Sequence, residues 1–149
     1  MLILDSDHLR VLRSPGPLSE KLENRLIRSG RAVVTTIINV QEGLKGYLSE
    51  INNVSKSRDK ARAYVDSFAN LQTLMEYYCN WNVIPFDVAA AETFLQLRSN
   101  SDLRIVGTAD LQIAAIALCR DAIVLTRNTQ HFSRVPGLSF EDWIADEQT

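Results

Sequence analysis

The sequence predicts an α/β fold in which a central, mostly parallel sheet is flanked by helices. Four short apolar runs, at residues 1–4, 32–36, 83–86 and 122–126, each end at or just before a polar residue. Unbroken apolar runs of this length are typical of strands buried on both faces of a parallel sheet. Helical patterns separate the runs, and this alternation favours a layered α/β domain. Pro85 interrupts the third run, which predicts an edge strand or a strand end there.

Residues 37–80 are predicted to form a helical hairpin that projects from the sheet. Five apolar residues recur there at spacings of four and three, which is typical of a stripe that packs helices together. They are Tyr64, Phe68, Leu71, Met75 and Tyr78. We expect this stripe to pack against the preceding helix or against a second copy of the chain. Later helices are expected to begin at the N-caps Asp87 and Thr108.

Length and composition indicate a single domain over residues 1–149. A chain of this size buries roughly 68–70% of its unfolded surface. Its 46% hydrophobic and 23% charged residues are ordinary for a folded protein. The formal net charge is −2, so no global positive field attracts nucleic acid. A nucleic-acid substrate would therefore be held by local Arg and Lys residues or through metal ions.

The cysteines and the amino terminus predict a cytoplasmic protein. Cys79 and Cys119 both lie in apolar, helix-like surroundings, and we expect them to be buried thiols in a reducing compartment. The apolar stretch before Asp5 is too short for a signal peptide or a membrane span. No membrane association is therefore expected.

The candidate site consists of polar residues near the ends of the predicted strands, because ligands of open parallel sheets bind beyond the carboxyl ends of the strands. These residues are Asp5, Ser6, Asp7, Glu42, Asp110, Thr126, Arg127 and Asn128. Carboxylates come from three separate segments of the chain. Asp5 follows the first strand, Glu42 lies in the helical stretch after the second, and Asp110 falls in the first turn of an apolar helix.

Each acid also has a purely structural explanation, and the pattern alone leaves both readings open. Asp7 is expected to be the N-cap of a helix that begins at His8. Asp5 would face water at a strand end, and Asp110 would be stabilised by the dipole of its helix. Glu42 points away from the apolar stripe of its own helix, as a solvated residue does.

The alternative is a joint metal site, and the argument for it is electrostatic. Three carboxylates in one pocket repel each other, so one or more would be driven toward protonation. A hard divalent cation removes that cost, and Mg²⁺ completes its shell with waters and substrate phosphate. Such a site suits phosphodiester hydrolysis. The sequence lacks a glycine-rich phosphate loop, and neither His8 nor His131 has zinc-ligand spacing with the cysteines.

Four segments occur in a recognisable order and spacing. The first is LILDSDHL at residues 2–9, and the second is VTTIINVQE at residues 34–42. The third is TADLQIAA at residues 108–115, and the fourth is VLTRNT at residues 124–129, followed by Phe132 and by VPGL at residues 135–138. This ordered set resembles PIN-domain proteins, and specifically VapC-type toxins of toxin–antitoxin pairs, over nearly the whole chain.

The resemblance implies a PIN-like three-layer fold and a metal-dependent endoribonuclease. It makes Asp5, Glu42 and Asp110 the catalytic and metal-binding acids, with Mg²⁺ or Mn²⁺ as the cofactor. In such enzymes a metal-activated water attacks the phosphodiester and leaves 5′-phosphate and 3′-hydroxyl ends. Asn128 stands where many members carry a further Asp, and together with Asp7 it is an additional candidate ligand.

The same resemblance implies supporting residues and partners. Thr126 and Ser6 are expected to support the acids. Arg127 is either a contact to the RNA backbone or an ordinary surface residue. The expected partners are an RNA substrate, a cognate antitoxin whose segment enters the acidic groove, and a second copy of the chain in a homodimer. A housekeeping RNA-processing enzyme would carry the same acids as a toxin.

Two other functions stay open. The amide of Asn128 in place of an acid fits a degenerate PIN domain that binds RNA or protein without cleaving. A strand followed by Asp5 and Asp7 also begins the pattern of phosphatases with an Asp nucleophile. That pattern needs a downstream Lys and a late acidic pair, whereas Arg127 and Asn128 follow the last predicted strand. We therefore rank the ribonuclease first.

Overall fold

A computed structural model describes residues 1–54 and 58–145 of the chain. These residues contain five short strands and seven α-helices, joined by loops. The strands are β1 (Leu2–Leu4), β2 (Val33–Thr36), β3 (Val83–Ile84), β4 (Ile123–Leu125) and β5 (Ser139–Glu141). The helices are α1 (Ser6–Arg13), α2 (Pro17–Ser29), α3 (Ile37–Asn53), α4 (Lys60–Cys79), α5 (Val88–Ser99), α6 (Thr108–Leu118) and α7 (Thr129–Phe132).

The sheet is parallel throughout and has the order β3-β2-β1-β4-β5. β1 lies at its centre, and all three of its residues are fully buried. Successive side chains of a strand point to opposite faces. Ile3 accordingly joins the core that includes α6, whereas Leu2 and Leu4 join the core that includes α1 and α2. The predicted three-layer arrangement is confirmed.

The strand order reverses beside β1. The chain runs from β1 to β2 and β3 on one side of the sheet, and then crosses to β4 and β5 on the other. Such a switch point leaves a crevice beyond the carboxyl ends of the strands, where ligands of open sheets bind. Asp5 directly follows β1, and Asn128 follows β4 in the segment that leads into α7. The fold therefore places the candidate site at this crevice.

All four predicted strands are confirmed, although each is shorter than its apolar run. β3 is an edge strand that pairs with β2, as Pro85 predicts. β5 is a strand that the sequence analysis missed. Of its three residues, Phe140 is half-buried and its two neighbours are exposed, so the segment has no apolar run to reveal it.

Two of the predicted helix caps are wrong. α1 begins at Ser6, so its cap is Asp5, and Asp7 lies inside the first turn. Thr108 is the first residue of α6, and Gly107 occupies the cap position without a side-chain hydrogen bond. In both cases the helix begins earlier than the pattern indicates, because an acid or a hydroxyl in the first turn resembles a cap in the sequence.

The prediction of buried thiols is also wrong. Cys79 and Cys119 are both exposed, because they lie at the carboxyl-terminal ends of α4 and α6 rather than on the packed faces of those helices. Among the described residues, no helix is both long enough and apolar enough to cross a bilayer.

Helices α3 and α4 pack against each other as the predicted hairpin, and its connection at residues 55–57 lies outside the described residues. The apolar stripe of α4 divides into two parts. Tyr78 is buried, and its hydroxyl donates to the Asn39 carbonyl at 3.2 Å. Tyr64, Phe68 and Met75 are 44%, 54% and 55% exposed. The stripe therefore packs within the chain only in part.

Candidate active site

Asp5 is held rigidly at the junction of β1 and α1. Its backbone N–H donates to the Leu125 carbonyl of β4 at 3.0 Å. Its Oδ1 accepts from the backbone N–H groups of Asp7 and His8, at 3.1 and 3.3 Å. Only 7% of the residue is exposed. Because the positive end of a helix dipole favours a negative charge, this position suits an ionised carboxylate.

His8 is a buried neighbour of Asp5 whose contacts the sequence analysis missed. Its Nε2 accepts from the Trp143 backbone N–H at 3.2 Å, which places the ring proton on Nδ1. Nδ1 lies 3.4 Å from Asp5 Oδ1, which is too long for a good hydrogen bond. His8 therefore connects the segment after β5 to the acid. The only signal for these contacts in the sequence is that His8 lies next to apolar residues on a short predicted helix.

A chain of hydrogen bonds links the start of α3 to Ser6 and Glu42. Ser6 Oγ donates to Glu42 Oε2 at 3.1 Å and accepts from Asn39 Nδ2 at 3.4 Å. Asn39 is fully buried, and its Oδ1 accepts from the Thr36 hydroxyl at 2.6 Å. The two residues also form a capping box, in which the Thr36 N–H donates to Asn39 Oδ1 and the Asn39 N–H donates to Thr36 Oγ1, both at 3.3 Å. The spacing of Thr36 and Asn39 is a signal for this cap, and the sequence analysis missed it.

The pKa of the Glu42 carboxyl is affected by burial and by nearby charges. The pKa of the Glu42 carboxyl is raised above its usual range, first because the carboxyl is partly withdrawn from water. The negative charges of Asp110 and Asp5 raise this pKa further, while the hydrogen bond from Ser6 and the charge of Lys45 lower it. Glu42 therefore lies within electrostatic reach of acids from two other segments of the chain.

Asp110 lies in the first turn of α6 and contacts the segment after β4. Its Oδ2 lies 2.9 Å from Asn128 Nδ2 and 2.6 Å from His131 Nδ1. Because a carboxylate can only accept, the second contact requires a proton on Nδ1 of His131. The fully buried Thr126 accepts the Asn128 backbone N–H at 2.9 Å and fixes this turn. The contact of His131 with Asp110 was not predicted. The one sequence signal for it is that His131 follows Asn128 by three residues.

Two of the remaining candidate residues lie apart from this arrangement. The Asp7 carboxylate pairs with Arg10 of its own helix at 3.1 Å. Arg127 is exposed at the end of β4. The contacts described above link Ser6, next to Asp5, to Glu42, and they link Asn128 and His131 to Asp110. The carboxylate of Asp7 pairs with Arg10 and has no described contact with these acids.

The chemistry of these side chains fits a hard divalent cation. In the parts of the chain that the structure describes, no three His, Cys, Asp or Glu side chains are arranged to hold a metal as they stand. Mg²⁺, however, keeps several of its waters and usually takes one or two protein carboxylates. Oxygen donors are present from three acids, and a cation would relieve the repulsion that raises the pKa of Glu42.

The chain is similar to known proteins in both sequence and fold. A sequence model of the PIN domain matches residues 8–138. The chain is similar to the tRNA(fMet)-specific endonuclease VapC of Shigella flexneri, with 38% identity over 50% of this chain. It is also similar to Ribonuclease VapC2 of Rickettsia felis, with 29% identity over 60% of this chain. The chain covers 58% and 63% of the lengths of these two relatives.

The fold has a close match among solved structures. The crystal structure of VapBC2 from Rickettsia felis, bound to a DNA fragment from their promoter, superposes with a TM-score of 0.67. The match covers 95% of this chain and 98% of that chain, at 23% sequence identity. The likeness at this identity concerns the fold.

Proposed function

The chain belongs to the PIN domain family, and from this membership we propose that it is a metal-dependent endoribonuclease of the VapC type. One observation carries the proposal: at the switch point of the sheet, Ser6 beside Asp5 donates to Glu42, and Asn128 after β4 contacts Asp110. Carboxylates that separate segments bring to one crevice suit a divalent cation, because Mg²⁺ takes one or two carboxylates and completes its shell with waters and substrate phosphate.

The proposed substrate is RNA, and the proposed partner is an antitoxin in the cytoplasm. Both curated relatives are named as nucleases that act on RNA. VapBC proteins, to which the solved relative from Rickettsia felis belongs, are toxin–antitoxin systems. The match to the PIN domain leaves the Asp-nucleophile phosphatase without support.

In this proposal Asp5, Glu42 and Asp110 would hold Mg²⁺ or Mn²⁺. Such a cation would supply a water of lowered pKa and positive charge beside the leaving oxygen. Ser6 holds one oxygen of Glu42, and the N–H groups at the start of α1 orient Asp5. Asn128 and His131 orient Asp110 from the opposite side.

The experiment that tests this function uses the wild-type protein and total RNA. We expect cleavage in Mg²⁺ or Mn²⁺ that stops in excess EDTA, with products that carry 5′-phosphates. The metal should also stabilise the fold, by about 2.7 kcal/mol at a hundredfold excess over its Kd, measured as a rise in melting temperature. Equal cleavage in EDTA contradicts the proposal. Binding of RNA without cleavage in any metal would favour the non-cleaving PIN module.

The exposed part of the α4 stripe supports a homodimer as a further element of the proposal. Tyr64, Phe68 and Met75 present adjoining apolar surface on one helix, and such surface usually marks an interaction site. We expect sedimentation to give twice the chain mass of 16.8 kDa, and Phe68→Asp to give a monomer. A stable wild-type monomer at micromolar concentration contradicts the dimer.

A further inference from the structure

A polar cavity lies beside the acids, between α1 and α3. Its volume is about 550 Å³, which is within the range of ligand pockets. Ser6 and Glu42 line it on the side of the acids, and Arg10 and Arg13 line it from the later part of α1. Since a helix rises 1.5 Å per residue, these arginines stand roughly 7.5 and 12 Å along α1 from Asp5. The cavity therefore extends from the acids along α1 far enough to hold a neighbouring group of a bound substrate.

Arg13 brings to this cavity a positive charge that no carboxylate neutralises within residues 1–54 and 58–145. Its Nη2 donates to the Tyr47 hydroxyl at 3.0 Å, and its guanidinium carbon lies 5.4 Å from the centre of the Tyr77 ring. These neutral contacts hold the guanidinium in place while other N–H donors stay available. Arg10, by contrast, is already paired with Asp7.

Aromatic rings form another part of the cavity wall. Tyr47 and Tyr78 line it, and Tyr78 is fixed by its hydrogen bond to Asn39. Gly43 permits the close approach of Tyr78, since a Cβ at this position would lie 2.7 Å from the Tyr78 hydroxyl. A fixed guanidinium beside aromatic rings offers two complementary contacts. The guanidinium binds phosphate, and the ring accepts a stacked base.

We propose that this cavity is a nucleotide-binding subsite, in which Arg13 binds the phosphate next to the scissile bond and a base packs against Tyr47. The inference rests on the proposed cleavage of RNA at the neighbouring acids. A chain with a net charge of −2 needs a local cation to hold an anionic strand close to three carboxylates. Arg13 stands at the right place to supply it.

The position of the cavity favours RNA over an acidic peptide. A peptide carboxylate bound to Arg13 would bring further acidic side chains toward Glu42 and Asp5, which repel them. An RNA strand would carry one phosphate to Arg13 and the next toward the acids, where a divalent cation would offset its charge. The tyrosine rings also suit a planar base better than an acidic side chain.

The test measures binding of a short single-stranded oligoribonucleotide in EDTA, which prevents metal-dependent cleavage. Arg13→Ala should weaken binding about 10-fold, as expected for a hydrogen bond to a charged group. Between about 50 and 200 mM salt, the slope of log Kd against log salt should fall by about 0.7, the value for one phosphate on a single strand. Arg13→Lys should keep the slope and lose part of the affinity, because it keeps the charge but not the fork of donors.

Arg28→Ala is the matched control, since Arg28 is an exposed arginine on α2 outside the cavity. It should leave both the Kd and the slope unchanged. A slope that is independent of Arg13, or a wild type that does not bind the oligoribonucleotide, overturns the subsite. A poly-glutamate peptide whose binding depends on Arg13 while RNA binding does not would also overturn it, and would assign the cavity to a protein partner.

Cleavage in Mg²⁺ separates the two proposals. For the active enzyme, Arg13→Ala should raise KM about 10-fold with little change in kcat, because it removes binding rather than chemistry. Metal-dependent cleavage with an unchanged KM contradicts the subsite and leaves the nuclease proposal standing. Arg13-dependent binding of RNA by a protein that never cleaves it supports the subsite and contradicts the nuclease.

Discussion

Replacing Asp5 or Asp110 by Asn is expected to reduce metal-dependent RNA cleavage by at least about 100-fold. Asn is as good an N-cap as Asp, so Asp5→Asn removes charge while the cap of α1 persists. Losing one of the mutually repelling acids also removes a cause of the raised pKa of Glu42. The melting temperature without metal should therefore not fall, while its rise with added Mn²⁺ should be lost. Both are measured on the same preparation.

Asp87→Asn is the matched control for this prediction. Asp87 also caps a helix, since its Oδ1 accepts from the Ala90 N–H at 3.0 Å, and its Oδ2 pairs with Arg120 at 2.7 Å. These two contacts hold the pKa of the Asp87 carboxyl below its usual range. The substitution should leave RNA cleavage and the response to metal intact. Equal losses of cleavage in Asp87→Asn and Asp5→Asn would show that removing the charge of any helix-capping carboxylate, rather than removing a metal ligand, explains the effect.

Ile116→Ala is expected to lower the free energy of unfolding by about 2–5 kcal/mol, because it leaves a cavity in the core. Ile116 is fully buried in α6, where it packs in the cluster that also contains Ile3 of β1 and Val124 of β4. A domain is stable by only about 5–15 kcal/mol in total. The loss should appear as a lower midpoint in urea, together with weaker cleavage near the growth temperature.

Ile27→Ala provides the comparison, because Ile27 is also helical but 77% exposed on α2. Its effect should stay within about 0.5 kcal/mol, and the higher helix propensity of Ala favours the variant slightly. Equal shifts of the urea midpoint in the two variants would contradict the placement of α6 in the core.

The strands and helices that the sequence predicts are those with an apolar pattern of their own. β1 and β4 are buried on both faces, so each appears as an unbroken apolar run. β5 has only Phe140 half-buried, and it becomes a strand because β4 offers it an edge. The cap of α1 was assigned to Asp7 for a similar reason, since the local pattern does not show that the helix begins two residues sooner.

The three acids of the candidate site could be predicted from the sequence pattern to different degrees. Asp5 and Asp110 follow from the rule that sites lie at the carboxyl ends of strands and from the apolar helix behind Asp110. Glu42 came only from the family resemblance, because its periodicity indicates an exposed residue, and it is exposed. Its proposed role depends on acids that lie far away in the sequence, at positions 5 and 110. The contacts of His8 and His131 likewise join residues that no local pattern connects.

The central strand β1 is synthesised long before its neighbour β4. Leu2 pairs with Ile123, which follows it by 121 residues, and the Asp5 N–H donates to Leu125. At a translation rate of about 5–20 residues per second, β1 leaves the ribosome roughly 6–24 s before its partner β4. The edge of the sheet that holds the acids is therefore completed among the last parts of the fold. A growing chain therefore carries Asp5 without the Leu125 carbonyl that holds its backbone, and the candidate site is complete only after β4 has left the ribosome.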